Sequence, residues 1–126
     1  MIWAIALGGA VGTVARYLLS LGMQRASGEF PFGTFLINVT GSFLIGVLAR
    51  VLSTHGSNPV LRAALTIGFC GGFMTFSTFS AEFVTMVEQG RALRAIVYVV
   101  ASVTVGISAT VLGLAVGNRL VATRIL

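Results

Sequence analysis

Gly68-Phe-Cys-Gly71-Gly72-Phe-Met74-Thr75-Phe76-Ser77-Thr78-Phe79-Ser80-Ala-Glu82 lies inside an apolar run that extends from Val60 to Glu88. Three glycines are followed by four hydroxyl residues within six positions. Glycine and β-branched threonine both weaken a helix, and Ser and Thr hydroxyls compete for backbone carbonyls. The stretch therefore predicts local unwinding between Gly71 and Thr75; the competing reading is a continuous helix whose hydroxyls bond back to their own turn. Unwound backbone at membrane depth persists only where protein buries it or where it lines a polar cavity, and there its carbonyls can coordinate a cation.

Outward from this stretch the chain is almost entirely membrane material. Of 126 residues, 56% are hydrophobic and 9% charged, and the mean hydropathy is +1.01. A soluble globule of this size needs far more polar surface. A helix crosses the hydrocarbon core with about 20 apolar residues, so four crossings use roughly 80 and leave space for one membrane domain only. The reading is an all-α membrane protein, a single transmembrane domain over residues 1–126, with helices at 2–22, 32–53, 60–88 and 93–117. Phe30-Pro31-Phe32 suits an interface and the first turn of the second helix. Asn58-Pro59 opens the third, and Gln89-Gly90-Arg91 ends it. The third helix exceeds what a bilayer requires, so it must tilt or be interrupted.

The first apolar segment begins without a basic region and carries Arg16 where a signal peptide's apolar core would end, which predicts a retained helix. Gly8 with Gly12, and Gly113 with Gly117, recur at the four-residue spacing that lets helices approach closely in lipid. Cys70 is the only cysteine and His55 the only histidine, which excludes an intramolecular disulfide and a cysteine-based metal site.

The formal charge of +5 comes from eight arginines against Glu29, Glu82 and Glu88. The arginines are scattered singly between apolar runs, so they mark membrane ends and not a nucleic-acid surface. With a cytoplasmic N-terminus, Arg50, Arg62, Arg119 and Arg124 fall inside and Arg25, Arg91 and Arg94 outside. Because the arginine bias of loops sets orientation, so even a division permits insertion both ways and pairing of opposite copies as an antiparallel dimer; the alternative is that one charge of difference suffices.

Several residues need more than a membrane-filling role. Phe76 and Phe79 share a helical face and alternate with Ser77, Thr78 and Ser80. Their positive ring edges, flanked by hydroxyl donors, can hold an anion without a full positive charge, whereas ordinary core packing is the other use of this spacing. Asn38, one turn after Thr34, is either interhelical glue or a pore-lining donor. Tyr98 and Ser102, one turn apart, extend the same polar line. Arg16 either snorkels to the interface or draws anions to a vestibule. Glu82 is similarly placed, with no second carboxylate or histidine to make a proton relay.

These motifs resemble one family. Gly68 to Glu82 is similar to the third-helix signature of the Fluc (CrcB) fluoride channels. Pro31-Phe-Gly-Thr-Phe-Leu-Ile-Asn38-Val-Thr-Gly41 is similar to their second-helix signature, and Gly12-Thr-Val-Ala-Arg16-Tyr17 to the first. The resemblance covers essentially the whole chain. It implies a bacterial inner-membrane channel, not an enzyme, that lets fluoride leave the cell passively as an antiparallel, dual-topology homodimer. Phe76 and Phe79 match the family's paired phenylalanines, Asn38 its pore asparagine and Tyr98 its fourth-helix tyrosine. The implied pore comprises these with Thr34, Ser77, Thr78 and Ser102, and a vestibule with Arg16 and Glu82. Gly71 and Met74 occupy the positions whose backbone carbonyls hold a structural Na⁺ at the dimer centre. Met74 stands where family members more often carry Thr, a departure that touches local packing more than a carbonyl ligand. Fluoride, the dimer and sodium are implied by the resemblance alone.

A small dual-topology, proton-coupled multidrug exporter is the alternative of matching size. Exchange of a proton for a cationic substrate needs an embedded carboxylate, and the first helix offers Arg16 instead.

Overall fold

A computed structural model describes residues 1–24, 28–53 and 57–123. Arg25, His55 and Arg124 lie outside the described residues, so the arginine count that bears on orientation is a matter of sequence alone. The described chain contains four segments long and apolar enough to cross a membrane. They are α1 (Ile2–Gln24) and α2 (Phe32–Val51), then a third crossing made of two helices, and last α5 (Ala92–Thr123). The third crossing comprises α3, residues 59–73, and α4 (Phe76–Glu88).

Asn58 caps α3 through Oδ1, which accepts the N–H groups of Val60 at 2.9 Å and Leu61 at 3.4 Å; Pro59 follows at the first position, where its missing N–H costs nothing. The helix widens to a π-helix over Ala64–Cys70 and returns to α geometry over Gly71–Phe73. At the far end of α4, Gly90 adopts a φ of 74°. This left-handed conformation, which glycine takes without penalty, lets Gly90 N–H reach the Val87 carbonyl and Arg91 N–H the Met86 carbonyl, both at 2.9 Å, so that the chain turns directly into α5.

The bundle is two tight helix pairs in contact: α1 against α3, and α2 against α5. Both pairings depend on glycine. A Cβ at Gly8 would lie 2.2 Å from the Ala64 carbonyl oxygen, and one at Gly12 would lie 2.2 Å from that of Phe69. Across the other pair, a Cβ at Gly113 would lie 2.2 Å from the Phe43 oxygen. The four-residue glycine spacing thus marks helix faces where backbones touch.

The break in the third crossing is narrower than the sequence suggests. Gly71 remains helical (φ −65°, ψ −37°), and only Met74 (φ −76°, ψ 155°) and Thr75 (φ −145°, ψ 111°) are extended. Among the preceding glycines, Gly68 and Gly72 are occupied in packing: a Cβ on Gly72 would meet the Gly9 oxygen at 2.4 Å. The last helix also runs to Thr123, beyond the expected end at Gly117. Gly117 is buried against Arg50 of α2 and acts as a packing residue, and no proline follows to stop the helix.

Candidate functional site

The break is held by a single side chain. Asn38 Oδ1 accepts the Thr75 N–H at 2.8 Å, and Asn38 Nδ2 donates to the Thr75 carbonyl at 3.2 Å. The carboxamide therefore takes the place of the helical acceptor that the Thr75 N–H has lost and adds a second donor to the Thr75 carbonyl, which as the N-cap of α4 already accepts the first bond of that helix; Thr75 is buried, with 6% exposure. Thr75 then caps α4: its Oγ1 accepts the Thr78 N–H at 3.2 Å and donates to Thr78 Oγ1 at 2.9 Å. The carbonyls of Gly71, Gly72, Phe73 and Met74 lose their usual donors as a result. Gly71 would normally receive the N–H of Thr75 and Met74 that of Thr78, and both N–H groups are turned elsewhere.

Beside the break lies a cavity of about 250 Å³ lined by Asn38, Ser42, Met74, Thr75, Phe76, Phe79, Ser102 and Val103. None of these residues is charged. The Phe76 and Phe79 rings lie 5.7 Å apart at 39°. Phe79 in turn packs on Tyr98, with centroids 5.1 Å apart, whereas Phe76 is 79% exposed. Ser102 Oγ is buried and has no hydrogen-bond partner. A buried hydroxyl without a partner is costly, which marks it as a donor waiting for a ligand. Asn38 retains a second amide hydrogen, since only one is used by Thr75. The cavity thus offers an amide donor, an unused hydroxyl and two aromatic rings, whose edges carry positive potential, a set suited to an anion that must be held weakly.

Tyr98 and Thr34, expected in the same line, belong to a neighbouring cluster. Tyr98 OH donates to Glu82 Oε2 at 2.8 Å, and Thr34 Oγ1 donates to Glu82 Oε1 at 2.7 Å. This carboxylate thereby links α2, α4 and α5. Tyr98 has no exposed surface and is flanked by Phe30, whose ring meets it edge-on at 5.4 Å and 82°. Arg16 lines a second cavity of about 280 Å³ with Thr13, Thr34, Thr75 and Thr78. Among the described residues no carboxylate pairs with Arg16. Glu82 borders a third cavity, of about 370 Å³, whose rim carries Glu29 and Arg91. Glu29 is ion-paired with Arg91 at 3.3 Å and also with Arg94. Ser77 lies exposed at the start of α4, with its Oγ 3.2 Å from Thr75 Oγ1.

The sequence profile of the family described as "CrcB-like protein, Camphor Resistance (CrcB)" matches residues 3–114. The chain belongs to the CrcB family. It is 45% identical over 123 residues to the "Fluoride-specific ion channel FluC" of Acidobacterium capsulatum, covering 96% of this chain and 98% of that protein. The protein of the same name from Rhizobium meliloti is 43% identical over 122 residues, covering 95% and 98%. That of Caulobacter vibrioides is 44% identical over 121 residues, covering 94% and 95%. Four membrane-capable helices and this membership make the CrcB-family chain a multi-pass bacterial membrane protein.

Two residues beside the cavity are absent from the pore residues expected from sequence. Thr75, expected only as the end of the unwound stretch, forms the break together with Met74 and caps α4; its signal was present, since it is the only hydroxyl residue directly between the glycine-rich turn and the paired phenylalanines, where a helix cap is needed. Ser42, one turn after Asn38 on α2, shares its face and reaches the same cavity.

Proposed function

We propose that this CrcB-family chain is a passive, fluoride-selective channel that lowers cytoplasmic fluoride by export across the bacterial inner membrane. The observation that carries the reading is the uncharged cavity bounded by Phe76 and Phe79, with the unpartnered Ser102 hydroxyl and the spare Asn38 amide hydrogen. A permeating fluoride sheds water, and these donors with the positive ring edges replace part of it. Without a formal cation, binding stays weak enough for release, which passive conduction requires. The relatives' printed name supports fluoride as the ion.

The working unit proposed is an antiparallel homodimer. A backbone break and the exposed hydroxyl residues Ser77 and Thr78 lie along one membrane-spanning segment beside the exposed Gly71 and Phe76, and lipid cannot satisfy freed backbone groups and hydroxyls. A second copy would cover them, and the even arginine division permits the opposite insertion. A structural Na⁺ is proposed at the Gly71 and Met74 carbonyls, the positions that the family resemblance implies, both of which are among the carbonyls left without helical donors by the break. Among the described residues no group of three His, Cys, Asp or Glu could hold a metal, so the site would be built from carbonyl oxygen, which suits a hard cation. Bound there, the ion would supply positive charge joining two copies.

A multidrug exporter would need a titratable carboxylate facing its substrate. The cavity contains none, and both Glu82 oxygens already accept hydroxyl protons.

Purified protein in liposomes loaded with fluoride should release it to an ion-selective electrode, while chloride-loaded liposomes should release little. Absence of fluoride release, or equal release of both ions, overturns the proposal.

A further inference from the structure

Met74 was noted above for its carbonyl, but its side chain has a place of its own. On α2, Asn38, Gly41 and Ser42 lie on one face, at spacings of three and four residues. Gly41 is buried, and a Cβ added to it would lie 2.3 Å from Met74 Cγ and 2.9 Å from Met74 Sδ. The Met74 side chain is therefore seated directly on the Gly41 backbone. Ser42 Oγ points at the thioether, 3.9 Å from Sδ, a weak contact that adds direction more than strength. Met74 and Ser42 both line the cavity that contains Phe76, Phe79 and Ser102.

These contacts tie the two extended residues of the break to the same face of α2. Asn38 holds the Thr75 backbone by hydrogen bonds, and Gly41 receives the Met74 side chain by shape. The thioether also occupies space at the cavity wall, next to the donors that would contact an ion. We infer that the Met74 side chain, seated on Gly41, is a positioning residue that sets the width of the anion cavity and with it the selectivity for a small, dehydrated anion. The inference rests on the channel reading above. A shorter side chain at this position enlarges the cavity, and the space admits water or a larger anion; an added methyl at Gly41 displaces Met74 and disturbs the break.

The test uses the full chain in four forms besides the parent: Met74→Ala, Met74→Leu, Gly41→Ala and the double variant G41A/M74A. Fluoride and chloride release from liposomes and the unfolding temperature in detergent are measured for each. Met74→Leu, which keeps bulk and loses sulfur, should preserve the fluoride-to-chloride ratio. Met74→Ala should lower that ratio by about tenfold or more, a change that a purely structural role would not produce. Gly41→Ala should reduce fluoride release by about tenfold and lower the unfolding temperature, and M74A added to it should recover most of both. A conducting parent whose Gly41→Ala defects persist in the double variant overturns the seat. An unchanged ion ratio in Met74→Ala overturns the role in selectivity. A parent that releases no fluoride overturns the channel reading, and this inference with it, whereas the unfolding temperatures still report whether Met74 and Gly41 are coupled.

Discussion

Asn38 and Thr75 form a two-point contact in which one carboxamide takes both backbone groups of the residue at which the third crossing breaks, at 2.8 and 3.2 Å. The contact makes Asn38 structural and leaves it a donor for the cavity at the same time, because the amide nitrogen carries a second hydrogen. Glue and pore lining, alternatives from sequence, are compatible in this geometry.

Asn38→Asp tests that dual role. A carboxylate can accept the Thr75 N–H but faces the Thr75 carbonyl with an oxygen, and it places a negative charge at the anion cavity. Fluoride release should fall by at least about a hundredfold, the charge and the lost donor acting together. Asn38→Ala should destabilise by roughly 1 to 3 kcal/mol, since the buried Thr75 N–H is left without an acceptor. Unfolding in detergent and electrode recordings separate the two effects; wild-type release from folded Asn38→Asp would exclude the residue from the pore.

Phe76 and Phe79 should respond differently to the same change. Phe79 packs on Tyr98, so Phe79→Ile should lower both stability, by about 1 kcal/mol, and fluoride release. Phe76 is mostly exposed in the isolated chain, so Phe76→Ile should leave the fold of the chain intact while reducing release. Equal stability losses for the two variants would contradict the asymmetry.

Glu82 joins three helices through Thr34 and Tyr98. Tyr98→Phe and Thr34→Val should each destabilise by about 1.5 to 3 kcal/mol, the range for hydrogen bonds to a charged group. The double variant should lose less than the sum of the two, because the remaining carboxylate can relax toward water once either donor has gone. Additive losses in a double-mutant cycle would show that the hydroxyls act independently.

Glu29 neutralises part of the charge on Arg91 and Arg94 at the rim of the cavity of about 370 Å³. Both partners are well exposed, so Glu29→Gln should change stability by less than about 1 kcal/mol. Freed guanidiniums should speed anion access at low salt, where the Debye length is about 30 Å, and have little effect at 1 M, where it is about 3 Å. Initial rates of fluoride release across that salt range measure the difference.

A Cβ on Gly71 meets nothing within 4 Å in the chain, and its backbone is ordinary helix. Gly71→Val should therefore spare the fold of the single chain, with helix propensity favouring valine by roughly 0.4 kcal/mol. Loss of the proposed dimer on cross-linking would locate the partner at this face; an intact dimer with normal release would remove Gly71 from the proposed interface and from the proposed carbonyl site.

Much of the fold is legible in the residues. The apolar runs mark the four crossings, and Asn58-Pro59 and Gly90 mark ends, because hydropathy, caps and glycine turns act through neighbours in the chain. The glycine-rich stretch locates the break only to within a few residues. Gly68 and Gly72 weaken the helix intrinsically, yet both stay helical because α1 packs onto them, and the chain opens at Met74 and Thr75, where Asn38 of another helix can take the freed groups.

The residue types of the chain by themselves determine that it spans a membrane, how many times, and which polar side chains must find partners there, since the cost of burying a polar group in hydrocarbon depends on the group and not on its neighbours. Only the tertiary structure decides who the partners are. Asn38 turns to Thr75, Tyr98 and Thr34 turn to Glu82, Met74 lies on Gly41, and Ser102 is left facing the cavity. Those pairings depend on the rotation and offset of each helix against the next, which are set by the glycine contacts between distant segments and carry no local signature in the chain.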